Sequence, residues 1–209
     1  MPQRTVHLFV FDTLADWETG YAVAELNYPQ FRSQPGPYRV QTVGLSTQPI
    51  KTIGGITIQP DLALPDLDPS NSAMLILPGG TAWDEGKHTA AVDAAQSFLA
   101  AGVPVAAICG ATAGLARGGV LDQVRHTSNV FEYLQATGYR GGAFYEQQHA
   151  VTDGNVITAS SVGTLEFAAH IFKKLELYSP QTIDAWYGLF KTGDPAYFYA
   201  LQQSLDVVA

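Results

Sequence analysis

The sequence predicts an α/β protein with a doubly wound parallel sheet and helices on both faces. Short apolar runs alternate with amphipathic segments of helical length through the middle of the chain, and glycine or proline separates them. This alternation is typical of parallel strands joined by crossover helices. The length of 209 residues favours one domain, or one domain with a small appendage.

The composition excludes several other classes of protein. With 46% hydrophobic and 14% charged residues, the chain is not disordered. One cysteine rules out an internal disulfide, and with five scattered histidines it argues against a structural zinc site. The net charge of −8 argues against a nucleic-acid partner. No apolar run approaches the roughly 20 residues of a membrane span, so we expect a cytoplasmic protein without a targeting segment or membrane contact.

The first third of the chain predicts a strand, a helix, a second strand and a hairpin. A continuous apolar run indicates the first strand, helical spacing of Trp17 and Tyr21 the helix, and Gly54-Gly55 the hairpin turn. Glu25 is expected on the exposed side of that helix. In order, the predicted elements are a strand over 6–11, a helix over 16–27, a strand over 38–45, a hairpin over 49–58 and a surface loop over 60–69.

The rest of the chain continues the alternation and ends in two helices that carry proline in their first turn. We expect an α/β domain over residues 1–177 and a helical extension over 178–209 packed on the same domain. The predicted strands are 73–77, 104–108, 124–127 and a hairpin over 151–159; the predicted helices are 89–101, 110–117, 128–137 with Ser128 as its cap, 163–175, 180–191 and 195–205.

Cys109 occupies the sharp turn where a predicted strand meets a helix of small residues, in the geometry of a nucleophile elbow. Unpaired N–H groups at a helix start stabilise a thiolate, so a lowered pKa is expected for the Cys109 thiol. A buried, inert cysteine is the alternative. Backbone N–H groups of Gly79, Gly80 and Gly110 are candidate donors for negative charge that develops on a substrate.

These segments resemble the ThiJ/PfpI superfamily. The resemblance rests on Leu77-Pro78-Gly79-Gly80 and on residues 106–116 around Cys109, and it extends to 122–128, 153–159 and 163–168. It covers most of residues 5–177. It implies a flavodoxin-like domain shared with class I glutamine amidotransferases.

The resemblance also implies an acidic partner for the cysteine. Glu18 occupies the position where the family carries a carboxyl group that touches the sulfur, and Asp16 is the rival, because a hydratase branch uses an aspartate just after the first strand. A carboxyl group held against a thiolate in a partly closed pocket should have a raised pKa and move a proton to the substrate.

One position departs from the family pattern. Peptidase-like members carry histidine directly after the cysteine, and Gly110 stands there instead. Residues 160–163 likewise lack the histidine and glutamate of a glutaminase. His126 either reaches the rim of the pocket or bonds to backbone at a strand end. The loop over 83–88 is a candidate pocket wall, and its Asp84 and Glu85 are expected to be solvated, so no metal site is predicted.

Three functions are weighed. The first is a cofactor-independent enzyme that uses Cys109 on a small electrophile, of glyoxalase, deglycase or hydratase type. The second is a redox or stress-response protein in which Cys109 senses oxidation. The third, a peptidase-like or amidotransferase-like hydrolase, is disfavoured by Gly110. A small-molecule substrate and a homodimer are expected.

Overall fold

A seven-stranded sheet forms the centre of the protein and brings the ends of its strands to one edge. The computed structural model describes residues 3–32 and 36–206. Within these residues the sheet has the order β5-β2-β1-β6-β7-β9-β8, and every neighbouring pair is parallel except β8 with β9. The predicted doubly wound, flavodoxin-like α/β fold is confirmed.

Two groups of helices cover this sheet. Helices α1, α5 and α6 pack together, and α2, α3 and α4 form the second group. A short antiparallel pair, β3 with β4, forms the predicted hairpin outside the sheet. The strands are β1 (Arg4–Phe9), β2 (Tyr38–Gly44), β3 (Ile50–Lys51), β4 (Thr57–Ile58), β5 (Leu62–Ala63), β6 (Ser72–Leu77), β7 (Val105–Ile108), β8 (Ala150–Asp153) and β9 (Val156–Ala159).

The helices agree with the predicted segments to within a few residues, apart from two that begin later than expected. They are α1 (Gly20–Asn27), α2 (Thr89–Ala100), α3 (Gly110–Arg117), α4 (Phe131–Gln135), α5 (Thr164–Lys174), α6 (Pro180–Thr192) and α7 (Pro195–Asp206). No helix in the described part of the chain has the length and apolar character needed to cross a membrane.

The central strands are buried on both faces, which explains their unbroken apolar sequences. Every residue of β6, β7 and β9 is buried, and so is β1 from Thr5 onward. A strand covered by helices on both faces needs apolar side chains at consecutive positions rather than at alternate ones. The core therefore fixes β1, β6 and β7 side by side, and their carboxyl ends meet at one edge.

Two expectations for the N-terminal third are wrong. The first helix begins at Gly20 rather than at residue 16, because residues 16–19 form turns that carry the chain across the strand ends. The expected surface loop over 60–69 contains β5, whose two residues extend the sheet beside β2. The three prolines of that segment lie outside the two residues of β5, so none of them removes a hydrogen-bond donor from the strand.

The strand predicted over 124–127 is also wrong. That segment makes one isolated bridge, between His126 and Tyr145, and no ladder. The Thr127 N–H instead donates to the Thr158 side chain at 2.9 Å. Ser128 does not cap a helix, since its hydroxyl bonds to the Thr112 hydroxyl at 2.6 Å and α4 begins three residues later.

Glu25 is buried, contrary to the expectation that it lies on the surface. It is 3% exposed, and its carboxylate accepts hydrogen bonds from the Tyr178 hydroxyl and from the Trp186 indole N–H at 3.2 Å. The Gln30 backbone N–H donates to the same group at 3.2 Å. The carboxylate thus ties α1 to the start of the C-terminal helices, although the division of the chain at residue 177 stays a prediction.

We predict that Glu25→Ala destabilises the protein by about 2–4 kcal/mol, because the buried donors of Tyr178 and Trp186, and the Gln30 N–H as well, lose their acceptor. Urea unfolding measures the loss. Tyr178→Phe is the matched control, since it removes one donor and should cost only about 1 kcal/mol. Equal stability of Glu25→Ala and wild type would show that the buried carboxylate does not hold the two parts together.

Candidate active site

Cys109 lies at the turn between β7 and α3, where its side chain reaches the carboxyl edge of the sheet. Its backbone angles are φ 56° and ψ −123°, in the positive-φ region that L residues rarely adopt. The Cys109 N–H donates to the Ala159 carbonyl at 2.9 Å, which fixes the turn against β9. Such strain persists only where the surroundings enforce it, and it concentrates at functional sites.

Glycine is required at two positions around this turn. A Cβ atom on Gly79 would lie 2.7 Å from the Cys109 Cβ and 2.7 Å from Glu18 Oε2. A Cβ atom on Gly110 would lie 2.9 Å from the Gly80 carbonyl oxygen. Any side chain at these positions would push the end of β6 away from the end of β7. The Pro-Gly-Gly segment is therefore needed for close approach and not only for a turn.

The Glu18 carboxyl group lies against the cysteine. Glu18 is 2% exposed, and its Oε2 accepts a hydrogen bond from the Gly79 N–H at 2.5 Å. The Cys109 thiol is close enough for each group to affect the other's pKa. Apart from this thiol, Oε1 has no hydrogen-bond partner in the described part of the chain.

Burial raises the pKa of Glu18 to about 7, although the Gly79 N–H and the Cys109 thiol act in the opposite direction. Removing a carboxyl group from water penalises its charged form. The group therefore changes protonation state near neutral pH. A carboxyl group in this condition can both take and return a proton.

The expectation of a lowered pKa for the thiol is wrong for the free site. Burial and the neighbouring Glu18 carboxylate raise the pKa of Cys109 to about 11, against opposite contributions from the Asn129 amide and the Gly110 N–H. The contribution of the helix start is therefore smaller than the loss of water and the adjacent negative charge. Both shifts oppose charge at the site, and the Glu18 carboxyl group lies where it can exchange a proton with the thiol.

Asn129 is a contact of the sulfur that the sequence did not reveal. Its Nδ2 donates to Cys109 Sγ at 3.4 Å, and its Oδ1 accepts from the Ser161 N–H at 2.8 Å. Because the Ser161 backbone N–H can only donate, Oδ1 of Asn129 faces it and the amide NH2 group is directed toward the sulfur. The available signal was position, since Asn129 follows directly on residues 122–128, which carry the family resemblance.

Tyr133 and Asp84 form a second polar pair beside the site. The Tyr133 hydroxyl donates to the Asp84 carboxylate. Burial raises the pKa of Tyr133, the hydrogen bond to Asp84 adds to this, and the negative charge of a Cys109 thiolate contributes as well. The loop over 83–88, a candidate pocket wall, therefore does lie near the cysteine, and Tyr133 joins it from α4.

Two candidate residues are placed elsewhere. The Asp16 carboxylate accepts from the Gly54 N–H at 2.7 Å, and its pKa is lowered chiefly by a hydrogen bond from Thr52. It thus holds the hairpin instead of facing the sulfur. His126 is fully buried, with Nδ1 bonded to the Val124 carbonyl at 2.7 Å and Nε2 to the Tyr139 hydroxyl at 3.1 Å.

Of the three candidate amides, Gly110 is nearest to the role expected of it. The Gly110 N–H lies beside the sulfur and stabilises its charged form. The Gly79 N–H is occupied by Glu18, and Gly80 forms a bridge with Leu14. In the part of the chain that the structure describes, no group of three or more His, Cys, Asp or Glu side chains is arranged to hold a metal ion.

We predict that Glu18→Gln changes the pH dependence of stability. Because the folded pKa of Glu18 is about 7, above the ordinary 4.5, its ionisation opposes folding as pH rises between these values. The free energy of unfolding of the variant, relative to that of wild type, should rise by about 3 kcal/mol between about pH 4.5 and about pH 8. Denaturant unfolding at several pH values measures this. The exposed Glu85→Gln variant is the control. A difference in stability between Glu18→Gln and wild type that does not change with pH would contradict the raised pKa of Glu18.

We predict opposite shifts of the thiol pKa for two substitutions. Glu18→Gln removes a negative charge and should lower the pKa of Cys109, whereas Asn129→Leu removes a donor and should raise it. Alkylation of the single cysteine by iodoacetamide as a function of pH measures both. Shifts of the Cys109 pKa in the same direction in both variants would show that the substitutions act by a general loss of packing at the site.

Known proteins resemble this chain over most of its length. A relative from Bacillus subtilis, the uncharacterized protease YoaZ, is 41% identical over 99% of this chain and 100% of its own. A glutathione-independent glyoxalase of Caenorhabditis elegans, DJR-1.2, is 31% identical over 68% of this chain and 75% of its own. The crystal structure of a thiJ/pfpI family protein from Bacillus anthracis matches with a TM-score of 0.91 and 40% identity, covering 98% of this chain and 99% of that one. The profile of the DJ-1/PfpI family matches residues 4–174, and the chain belongs to this family.

Proposed function

We propose that the protein is a cofactor-independent enzyme of glyoxalase type, which converts a small 2-oxoaldehyde to a 2-hydroxy acid through Cys109 and Glu18. One observation carries the proposal. A buried carboxyl group whose pKa is raised to about 7 lies against the single, half-exposed cysteine of the chain. A nucleophile and a proton acceptor are thus in contact at the edge of the sheet where α/β folds bind ligands.

The first step joins the thiol to the aldehyde. The Cys109 sulfur attacks the aldehyde carbon, and the Glu18 carboxylate takes the thiol proton and passes it to the aldehyde oxygen. A carbon–sulfur bond forms, the carbonyl π bond breaks, and the product is a hemithioacetal. The Gly110 N–H is the donor available for negative charge during this step.

The second step moves a hydrogen between the two oxygen-bearing carbons. Glu18, again a carboxylate, removes the hydrogen of the former aldehyde carbon as a proton, and the electron pair forms an enediolate. Return of the proton to the neighbouring carbon gives a thioester of the 2-hydroxy acid. Water hydrolyses this thioester and restores the thiol, so methylglyoxal and one water become lactate with no external oxidant or reductant.

The names of the relatives are divided, and the residues of this chain favour the glyoxalase over a peptidase. The DJR-1.2 relative is named a glyoxalase that needs no glutathione, consistent with a protein thiol as the nucleophile. The YoaZ relative is named an uncharacterized protease. Within the described residues no histidine is hydrogen-bonded to the Cys109 sulfur: Gly110 follows the cysteine, and both ring nitrogens of His126 are bonded elsewhere.

We predict that purified protein forms lactate from methylglyoxal, and that Cys109→Ser lowers kcat about a thousandfold or more. Glu18→Gln should lower kcat by about 10²–10⁴. Because Glu18 acts as a carboxylate, kcat/KM should rise with pH through about 7 and then level off, and Glu18→Gln should abolish that rise. Formation of lactate is the readout. Loss of methylglyoxal alone would not suffice, because methylglyoxal also adds reversibly to thiols and amines.

Wild-type protein that forms no lactate would overturn the enzymatic proposal. A thiol that then oxidises to a sulfinate while the protein stays folded would favour the redox alternative. Asp16→Asn is the matched control for Glu18→Gln, because this nearby carboxylate holds the hairpin instead of the sulfur. The homodimer and the cytoplasmic location stay predictions.

A further inference from the structure

A cleft of about 480 Å³ opens beside Asn129, which contacts the cysteine. Its walls are the start of α4, Tyr145, residues 147–149 and the turn after β9. Asn129 lies in the wall and connects the cleft to the site, since its Nδ2 is 3.4 Å from Cys109 Sγ. The volume is in the range of small-molecule sites, about 300–1,000 Å³.

A buried hydroxyl in this cleft lacks a partner. Ser160 is 5% exposed, and its Oγ makes no hydrogen bond to any residue that the structure describes. The Ser160 N–H donates to the His149 carbonyl oxygen at 3.0 Å. The backbone N–H is therefore paired, whereas the hydroxyl is not. Buried polar groups are nearly always paired. A ligand atom in the cleft would supply the missing partner.

The charge of the walls limits what can bind. None of the described residues that line the cleft is a lysine or arginine, and Glu132 contributes a carboxylate. Gln147 and Gln148 offer uncharged donors and acceptors. Glu132 disfavours an anionic group, and among the described lining residues only the imidazole of His149 is available to receive one.

The cleft also has an aromatic and apolar surface. The rings of Phe131 and Tyr145 lie 5.1 Å apart between centroids. Val130 and Val162 stand at the rim with 54% and 73% of their surfaces exposed. A planar apolar group that enters the cleft would cover this surface.

We propose that this cleft is a substrate subsite for an uncharged, ring-sized substituent that carries a hydrogen-bonding atom. The inference rests on the proposed function, because it assigns the part of the 2-oxoaldehyde that Cys109 does not attack. The enzyme then prefers aryl-substituted 2-oxoaldehydes to methylglyoxal. Ser160 pairs with the polar atom of the ring substituent, and the aromatic pair contacts its face.

The first test compares four substrates by kcat/KM. We expect phenylglyoxal to exceed methylglyoxal by about tenfold, because a buried ring contributes hydrophobic contact. 4-Hydroxyphenylglyoxal should exceed phenylglyoxal, and 4-carboxyphenylglyoxal should fall below it because of its charge. Equal values for phenylglyoxal and methylglyoxal would overturn the subsite while leaving the proposed function intact.

The second test uses variants. Val162→Trp narrows the rim and should lower the phenylglyoxal-to-methylglyoxal ratio of kcat/KM about tenfold. Ser160→Ala should remove the advantage of the hydroxylated ring over the plain one. Ile56→Trp, at an exposed position on the hairpin, is the matched control and should leave both ratios as in wild type. Ratios that stay unchanged in Val162→Trp would contradict the assignment.

A binding measurement separates failure of the subsite from failure of the enzyme. 4-Hydroxyacetophenone carries the ring and the hydroxyl but no aldehyde, and its binding to the Cys109→Ser protein is followed by ligand-observed NMR. If no aldehyde is turned over but this probe binds, and Val162→Trp weakens its binding, the subsite stands and the glyoxalase proposal falls. If the probe does not bind, the subsite is overturned.

Discussion

The contact between the Glu18 carboxyl group and the Cys109 thiol, held by one hydrogen bond from the Gly79 N–H, is the constraint on which the site depends. It joins three pieces of chain that are far apart in sequence, namely the turns before α1, the end of β6 and the elbow after β7. A buried carboxyl group is costly unless it is paired. The surrounding structure therefore has to hold these three segments in non-covalent contact with one another.

The sheet meets this requirement through its strand order. Because β1, β6 and β7 are adjacent and parallel, their carboxyl ends lie at one edge, and the chain that leaves β1 crosses the end of β6 before α1 begins. Glycine at 79 and 110 allows the approach, since a Cβ at either position would occupy space already filled. The positive φ of Cys109 is the strain that accompanies this closeness.

Burial then sets the chemistry. With water excluded, a proton shared between a thiol and a carboxyl group is more stable than two charges side by side, so the pKa values of both groups are raised. Asn129 offers the sulfur a neutral donor whose direction is fixed by the Ser161 N–H. The site thus places a thiol, a carboxyl group of raised pKa and a neutral donor in contact, which is the arrangement on which the proposed proton transfer rests.

The sequence alone determined the α/β architecture, the elbow at Cys109 and the helix from Gly110 to Arg117, because apolar runs, small residues and glycine act locally along the chain. The identity of Glu18 over Asp16 as the neighbour of the sulfur came from tertiary structure, as did the burial of Glu25 and His126 and the roles of Asn129 and Ser160. The short strand expected at 124–127 failed for the same reason. Which polar groups meet, and whether water reaches them, depends on contacts between distant segments. The raised pKa of Glu18 was therefore predicted only through the family resemblance, and the direction predicted for Cys109 was wrong.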